Sequence, residues 1–199
     1  MLILNKNILT IGGNRLEGGP LTPPTPPEPP GPSFDSVTIG TQIWMAKNLD
    51  IDDGGTGIYH QDNVTANGVN FGTQYYYTWD AAVRVANSIT GWHLPTSDEW
   101  NTLATAVGGS NIAGTKLKST SGWNDDGNGT DDFGFTGLPV GRESTGSLSQ
   151  LGRRGFFWTN TEYTSTNAYY NLLLNTASNM RTLNSDKSYG YSIRLIKDT

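Results

Sequence analysis

Between Asn124 and Asp132 the chain runs Asn-Asp-Asp-Gly-Asn-Gly-Thr-Asp-Asp, setting four carboxylates among amide and hydroxyl oxygens. Oxygen-rich loops of this kind ligate calcium, a hard cation that takes roughly six to eight oxygens. The spacing lacks the glutamate that closes an EF-hand loop, and glycine-rich acidic loops also stand as plain solvated turns. Calcium is therefore the alternative to a chain with no cofactor. The two histidines, His60 and His93, are too few and too far apart for a metal-ligand pattern. His93, between Trp92 and Leu94, reads as a packed, hydrogen-bonded structural histidine; His60 falls in a glycine-rich, exposed loop. Cysteine is absent, which removes disulfides, thiolate metal sites and a cysteine nucleophile together. No nucleophile, base and orienting group come together, so the chain reads as a non-enzyme.

Recognition is a different matter. Of the 34 residues from Thr159 to Ser192, 22 are Asn, Thr, Ser or Tyr. Tyrosine supplies amphipathic contact area at low entropy cost, and Asn and Ser adapt their hydrogen bonds, the mixture that antibody paratopes use. The same residues also populate ordinary turns. If Tyr170–Asn175 is a half-buried strand, Leu172 and Leu174 point inward and Asn171, Leu173 and Asn175 outward. Net charge is −5 and no Lys/Arg run is present, so neither nucleic acid nor an anionic membrane is an expected partner.

The elements that must hold these residues start at Gly91-Trp92-His93-Leu94-Pro95-Thr96-Ser97-Asp98-Glu99-Trp100. Thr96 and Glu99 stand three apart and form a capping box; Pro95 keeps Leu94 extended. A helix over Ser97 to about Val107 then buries Trp100, Leu103, Ala104 and Val107 on one face. Thr78 caps another through Ala81, Ala82, Val83, Val85 and Ala86. Ser36–Trp44 is strand-like, the text after Gly108 is loop and short strand, and Tyr189–Lys197 alternates as a core strand. The fold class is α+β, with two helices and short antiparallel strands. Eight of ten prolines fall in 20–32 and favour an extended polyproline spacer. The organisation is an extended or hairpin-like attachment peptide, or else a partly disordered terminus, at 1–19, a spacer at 20–33 and a head at 34–199. The first residues lack a signal-peptide hydrophobic region, and no apolar stretch reaches membrane-helix length.

Several strings occur in a recognisable order: Ile43–Leu49, the GWHLPTSDEW corner, Gly114–Ser119, Gly122-Trp123-Asn124, Phe133-Gly134-Phe135 through Leu138-Pro139, Phe157–Glu162 and Gly190–Asp198. Together they resemble the Fibrobacter succinogenes major paralogous domain over about Phe34–Asp198. That family is similar to formylglycine-generating-enzyme-like domains, which implies a C-type lectin-like fold. The resemblance departs at two cysteines, replaced around Ser88-Ile89-Thr90 and at Leu195, so the oxidative chemistry of those relatives does not carry over. The lectin tripeptide Glu-Pro-Asn is absent too, so calcium-mediated sugar binding is not implied.

The C-terminal region also resembles the variable section of proteins diversified by retroelements that randomise adenines. On that resemblance Asn167, Tyr169, Asn171, Leu173, Asn175, Asn179, Arg181 and Asn184 form a contiguous ligand-binding face. The resulting expectation is a phage tail-fibre tip adhesin in the virion, recognising a host-surface protein or glycan. It joins a tail-fibre or other structural protein through its leader and assembles as a homo-oligomer, a trimer. The alternative is a bacterial surface or secreted domain binding polysaccharide or protein.

Overall fold

The computed structural model describes residues 10–11, 14–15 and 33–199, and the chain divides into two units, Met1–Pro30 and Gly31–Thr199. In the first unit β1 (Thr10–Ile11) pairs antiparallel with β2 (Asn14–Arg15). Apart from Ser33, the proline-rich spacer lies outside the described residues. Among the described residues no helix is long and apolar enough to cross a membrane.

The second unit is α+β, with three helices and several small antiparallel sheets. It opens with β3 (Ser36–Ile39) and β4 (Gln42–Met45), joined across Gly40, whose φ of 62° suits a residue without a side chain. Next come β5 (Ile58–Gln61), the small hairpin of β6 (Thr65–Ala66) and β7 (Val69–Asn70), and β8 (Gln74–Tyr77), with β5 paired to β8. His60 is therefore exposed on a strand opposite Tyr75, not in a loop.

Thr78 caps α1 (Trp79–Asn87) by accepting from the Ala81 amide, and Ala81, Ala82, Val85 and Ala86 are buried. After β9 (Trp92–His93) comes α2 (Ser97–Ala106), whose capping box is complete: Thr96 accepts from the Glu99 amide while Glu99 accepts from the Thr96 amide. Trp100, Leu103, Ala104 and Val107 are buried as the helical spacing requires. A third helix, α3 (Ser110–Leu117), replaces the expected loop after Gly108. Its N-cap makes no side-chain bond, and Gly114 sits within it, so both local helix signals are missing. Packing supplies what propensity does not: Ala113, Gly114 and Leu117 are buried, and a Cβ at Gly114 would lie 2.5 Å from the Asn179 carbonyl oxygen.

β10 (Arg142–Ser144) and β11 (Ser147–Ser149) form a hairpin ahead of the main sheet, made of β12 (Arg154–Glu162), β13 (Asn167–Leu174) and β14 (Met180–Asp186) in that order. The chain closes with β15 (Ile196–Lys197), which lies between β4 and β9, so the first and last strands of the head share one sheet. Tyr189–Lys197 is not one alternating strand. Gly190 to Ile196 are buried without interruption, and their backbone bonds go in turn to Glu143, Tyr77, Trp158, Leu49 and Met45.

Two main cores lie on either side of the β12–β13 pair. Phe156, Trp158, Tyr170 and Leu172 enter one, with α1 residues and Tyr191, Ile193 and Leu195. Phe157 and Leu173 enter the other, with Trp44, Trp100, Trp123, Phe135 and residues of α2 and α3.

Candidate functional site

The sheet places the residues singled out by composition, and it divides them. In the β13–β14 register Tyr169 lies opposite Asn184, Asn171 opposite Thr182, and Leu173 opposite Met180, so these pairs share one face. Arg181 and Leu183 stand opposite Leu172 and Tyr170 on the other face. The expected single-faced patch therefore wraps around the β14 edge instead. Arg181, Thr182, Leu183 and Asn184 are exposed in succession, while Asn167, Tyr169 and Asn179 are half-buried.

Three expected contacts are interior. Leu173 and Asn171 are fully buried and Asn175 nearly so. The inward/outward alternation assumed one wet face; β13 has a core on each side, so both sets of side chains are covered. Asn171 accepts from the Thr182 hydroxyl at 2.9 Å, and its amide nitrogen has no partner. Asn175 donates to Asp125 at 2.9 Å and so ties the acidic loop to the end of β13.

That loop disperses its carboxylates. Asp131 accepts from the Thr136 amide and hydroxyl at 2.6 and 2.7 Å, and Asp132 pairs with Lys116 at 2.8 Å. Among the described residues no three His, Cys, Asp or Glu side chains gather as a metal site. His93 bridges two carboxylates instead, Asp198 at 2.5 Å through Nδ1 and Glu99 at 2.8 Å through Nε2. Partial burial opposes charge on the imidazole, but the bonds to Asp198 and Glu99 outweigh it and raise its pKa. Glu99 is likewise half-desolvated, yet the Thr96 amide and His93 lower its pKa.

The Fibrobacter succinogenes major domain model matches residues 37–197. The chain belongs to that family. No curated protein and no solved structure matches it significantly. The landmark strings of this Fibrobacter domain turn out to be architectural: Trp44, Trp100, Trp123 and Trp158 are fully buried. The Trp44 and Trp100 rings meet at 4.9 Å, and both contact Phe135.

Sequence reasoning passed over two groups beside these landmarks. Trp79, half-buried at the start of α1, donates to the Thr159 carbonyl and carries Lys187 over its ring at 4.3 Å. Tyr163, 52% exposed, meets Tyr169 edge-on at 5.2 Å. Its place in the Tyr/Asn/Ser/Thr-rich run was the available signal.

Proposed function

We propose that this domain is a recognition module on a C-type lectin-like scaffold, displayed as the tip adhesin of a phage tail fibre and binding a host-surface protein or glycan. The observation that carries the reading is the β14 edge. Four consecutive exposed residues, Arg181 to Asn184, line this edge, and Asn184 stands opposite Tyr169, whose ring meets Tyr163. Aromatic and guanidinium groups concentrate interface energy, and the β14 edge adds Arg181 and unpaired backbone polar groups to the neighbouring tyrosines. The pairing of β15 with β4 supports a scaffold whose terminal strands meet. Burial narrows the diversified set to Asn167, Tyr169, Asn179, Arg181 and Asn184, because variation at Asn171, Leu173 or Asn175 would disturb packing.

The test is a binding titration of folded variants against whole host cells or extracted surface glycans. Tyr169→Ala or Arg181→Ala weakens binding by about 1–3 kcal/mol while thermal stability stays nearly unchanged. Asn171→Ala is the contrast and lowers stability. Wild-type binding by both surface variants would place the recognition surface elsewhere. A near-copy template beside a reverse transcriptase, with adenine mismatches confined to the accessible positions, would support diversification.

A further inference from the structure

A cleft of about 380 Å³ opens between Ala46–Asp50, the Asn70–Tyr75 segment and Thr136–Leu138, with Arg194 on its lining. None of these residues belongs to β12, β13 or β14. The volume falls in the range of small-molecule pockets. We propose that this cleft is a second binding site, for a single neutral sugar ring.

The polar lining is held in place by a chain of hydrogen bonds. Arg194 Nη2 donates to Asn48 Oδ1 at 2.7 Å, and Asn48 Nδ2 donates to Gln74 Oε1 and Ser192 Oγ, each at 3.3 Å. Gln74 Nε2 donates in turn to the Phe71 carbonyl at 2.8 Å. Most donors are thereby spent, and the capacity left over is oxygen: second lone pairs on Asn48 and Gln74, the Asp50 carboxylate, and the hydroxyl oxygens of Thr73 and Thr136, which donate to Asp62 and Asp131. The surplus of acceptors calls for a ligand rich in donors.

Charge decides which donors. Lys47 is paired with Asp35 at 2.9 Å. Arg194 is fully buried, bonded to Asn48 and to the carbonyls of Met45, Phe135 and Thr136, and lies over the Phe135 ring at 4.3 Å. Arg194 is enclosed, Lys47 leans toward Asp35, and the Asp50 carboxylate offsets their positive charge, so the lining holds no unopposed charge that would select an acid or an amine. Uncharged hydroxyls fit this lining, in which the fully buried Arg194 serves to fix Asn48 and not to touch the ligand. Phe71 and Tyr75 supply apolar faces for the C–H side of a sugar ring. Phe71 is set close over Gly122, where a Cβ would lie 2.2 Å from its ring.

The full-length protein, labelled with 15N, is titrated with glucose, galactose, mannose and N-acetylglucosamine, and separately with glucuronic acid and glucosamine. At least one neutral sugar should give saturable amide shifts around Thr73, Tyr75 and Asp50, with weaker responses from the acid and the amine. Tyr75→Ala should weaken that binding roughly tenfold or more, as loss of an aromatic anchor does. Asp50→Ala and Thr73→Val, both at exposed positions, should weaken it without altering the fold, and Arg181→Ala should leave it unchanged. Absence of saturable shifts with all four neutral sugars overturns the proposal. So does a preference for glucuronic acid or glucosamine, or unchanged affinity in the Asp50 and Thr73 variants.

Discussion

His93 joins parts of the chain 105 residues apart by holding Asp198 and Glu99 on its two ring nitrogens. Its raised pKa means that the stabilisation is fully present below the usual imidazole value of 6.5 and is lost as pH rises through the folded-state value above it. Glu99, with a lowered pKa, contributes above the usual 4.5 and loses that contribution as pH falls through its folded-state value. His93→Gln should therefore lower the melting temperature most between those two ordinary values, 4.5 and 6.5, and progressively less in alkali. A pH series of thermal melts on both proteins checks this; a constant difference across the series would remove the ion-pair account. In the acidic loop, Asp125, Asp131 and Asp132 are each committed to a protein partner. A chelator should thus leave the melting temperature unchanged, and a clear drop on chelation would favour calcium binding by this loop.

At the scale of elements, the corner before α2 combines a local and a non-local device. The capping box depends only on Thr96 and Glu99, so Thr96→Ala should cost about 1 kcal/mol in denaturant unfolding. Trp100 lies among Trp44, Phe135 and Phe157, and Trp100→Ala should cost ~3–5 kcal/mol. Its indole N–H has no hydrogen-bond partner, so Trp100→Phe should cost clearly less than Trp100→Ala. If Trp100→Ala kept full stability and lost only binding, the structural role would be wrong. α3 depends on close approach. Gly114→Ala improves helix propensity but drives a methyl group into the Asn179 and Ser178 carbonyls, so net destabilisation of about 1–3 kcal/mol is expected. A stabilised Gly114→Ala protein would overturn this close approach of α3 to the Ser178–Asn179 backbone.

At the scale of the whole molecule, β12 and β13 form a central partition with aromatic cores on both sides, and β14 carries the sheet out to an exposed edge. A single edge offers little area, and display in several copies raises avidity without new contacts. If the domain is the displayed adhesin proposed above, we expect a homo-oligomer, a trimer, formed alone or with its structural partner. Multi-angle light scattering reads this directly, and a strict monomer under both conditions would count against it.

Much of the architecture was legible because its signals are local. Thr78, Thr96 and Glu99 act on amides three residues away, and Trp100, Leu103, Ala104 and Val107 announce a face by helical spacing. The family was legible for a related reason: the strings that carried the resemblance contain the buried tryptophans and the corner on which the core is built. Other features depend on what lies across the fold. Leu173 and Asn171 turn inward because a second core covers the face that alternation assigns to water. Gly190–Ile196 abandons alternation because it is threaded between strands and loops on every side. α3 forms against β14 despite a weak cap and an internal glycine. The exposed edge and the cleft around Gln74 are likewise products of assembly: composition pointed to the residue types along the edge and gave no sign of the cleft, and burial by distant segments decided which side chains stay accessible.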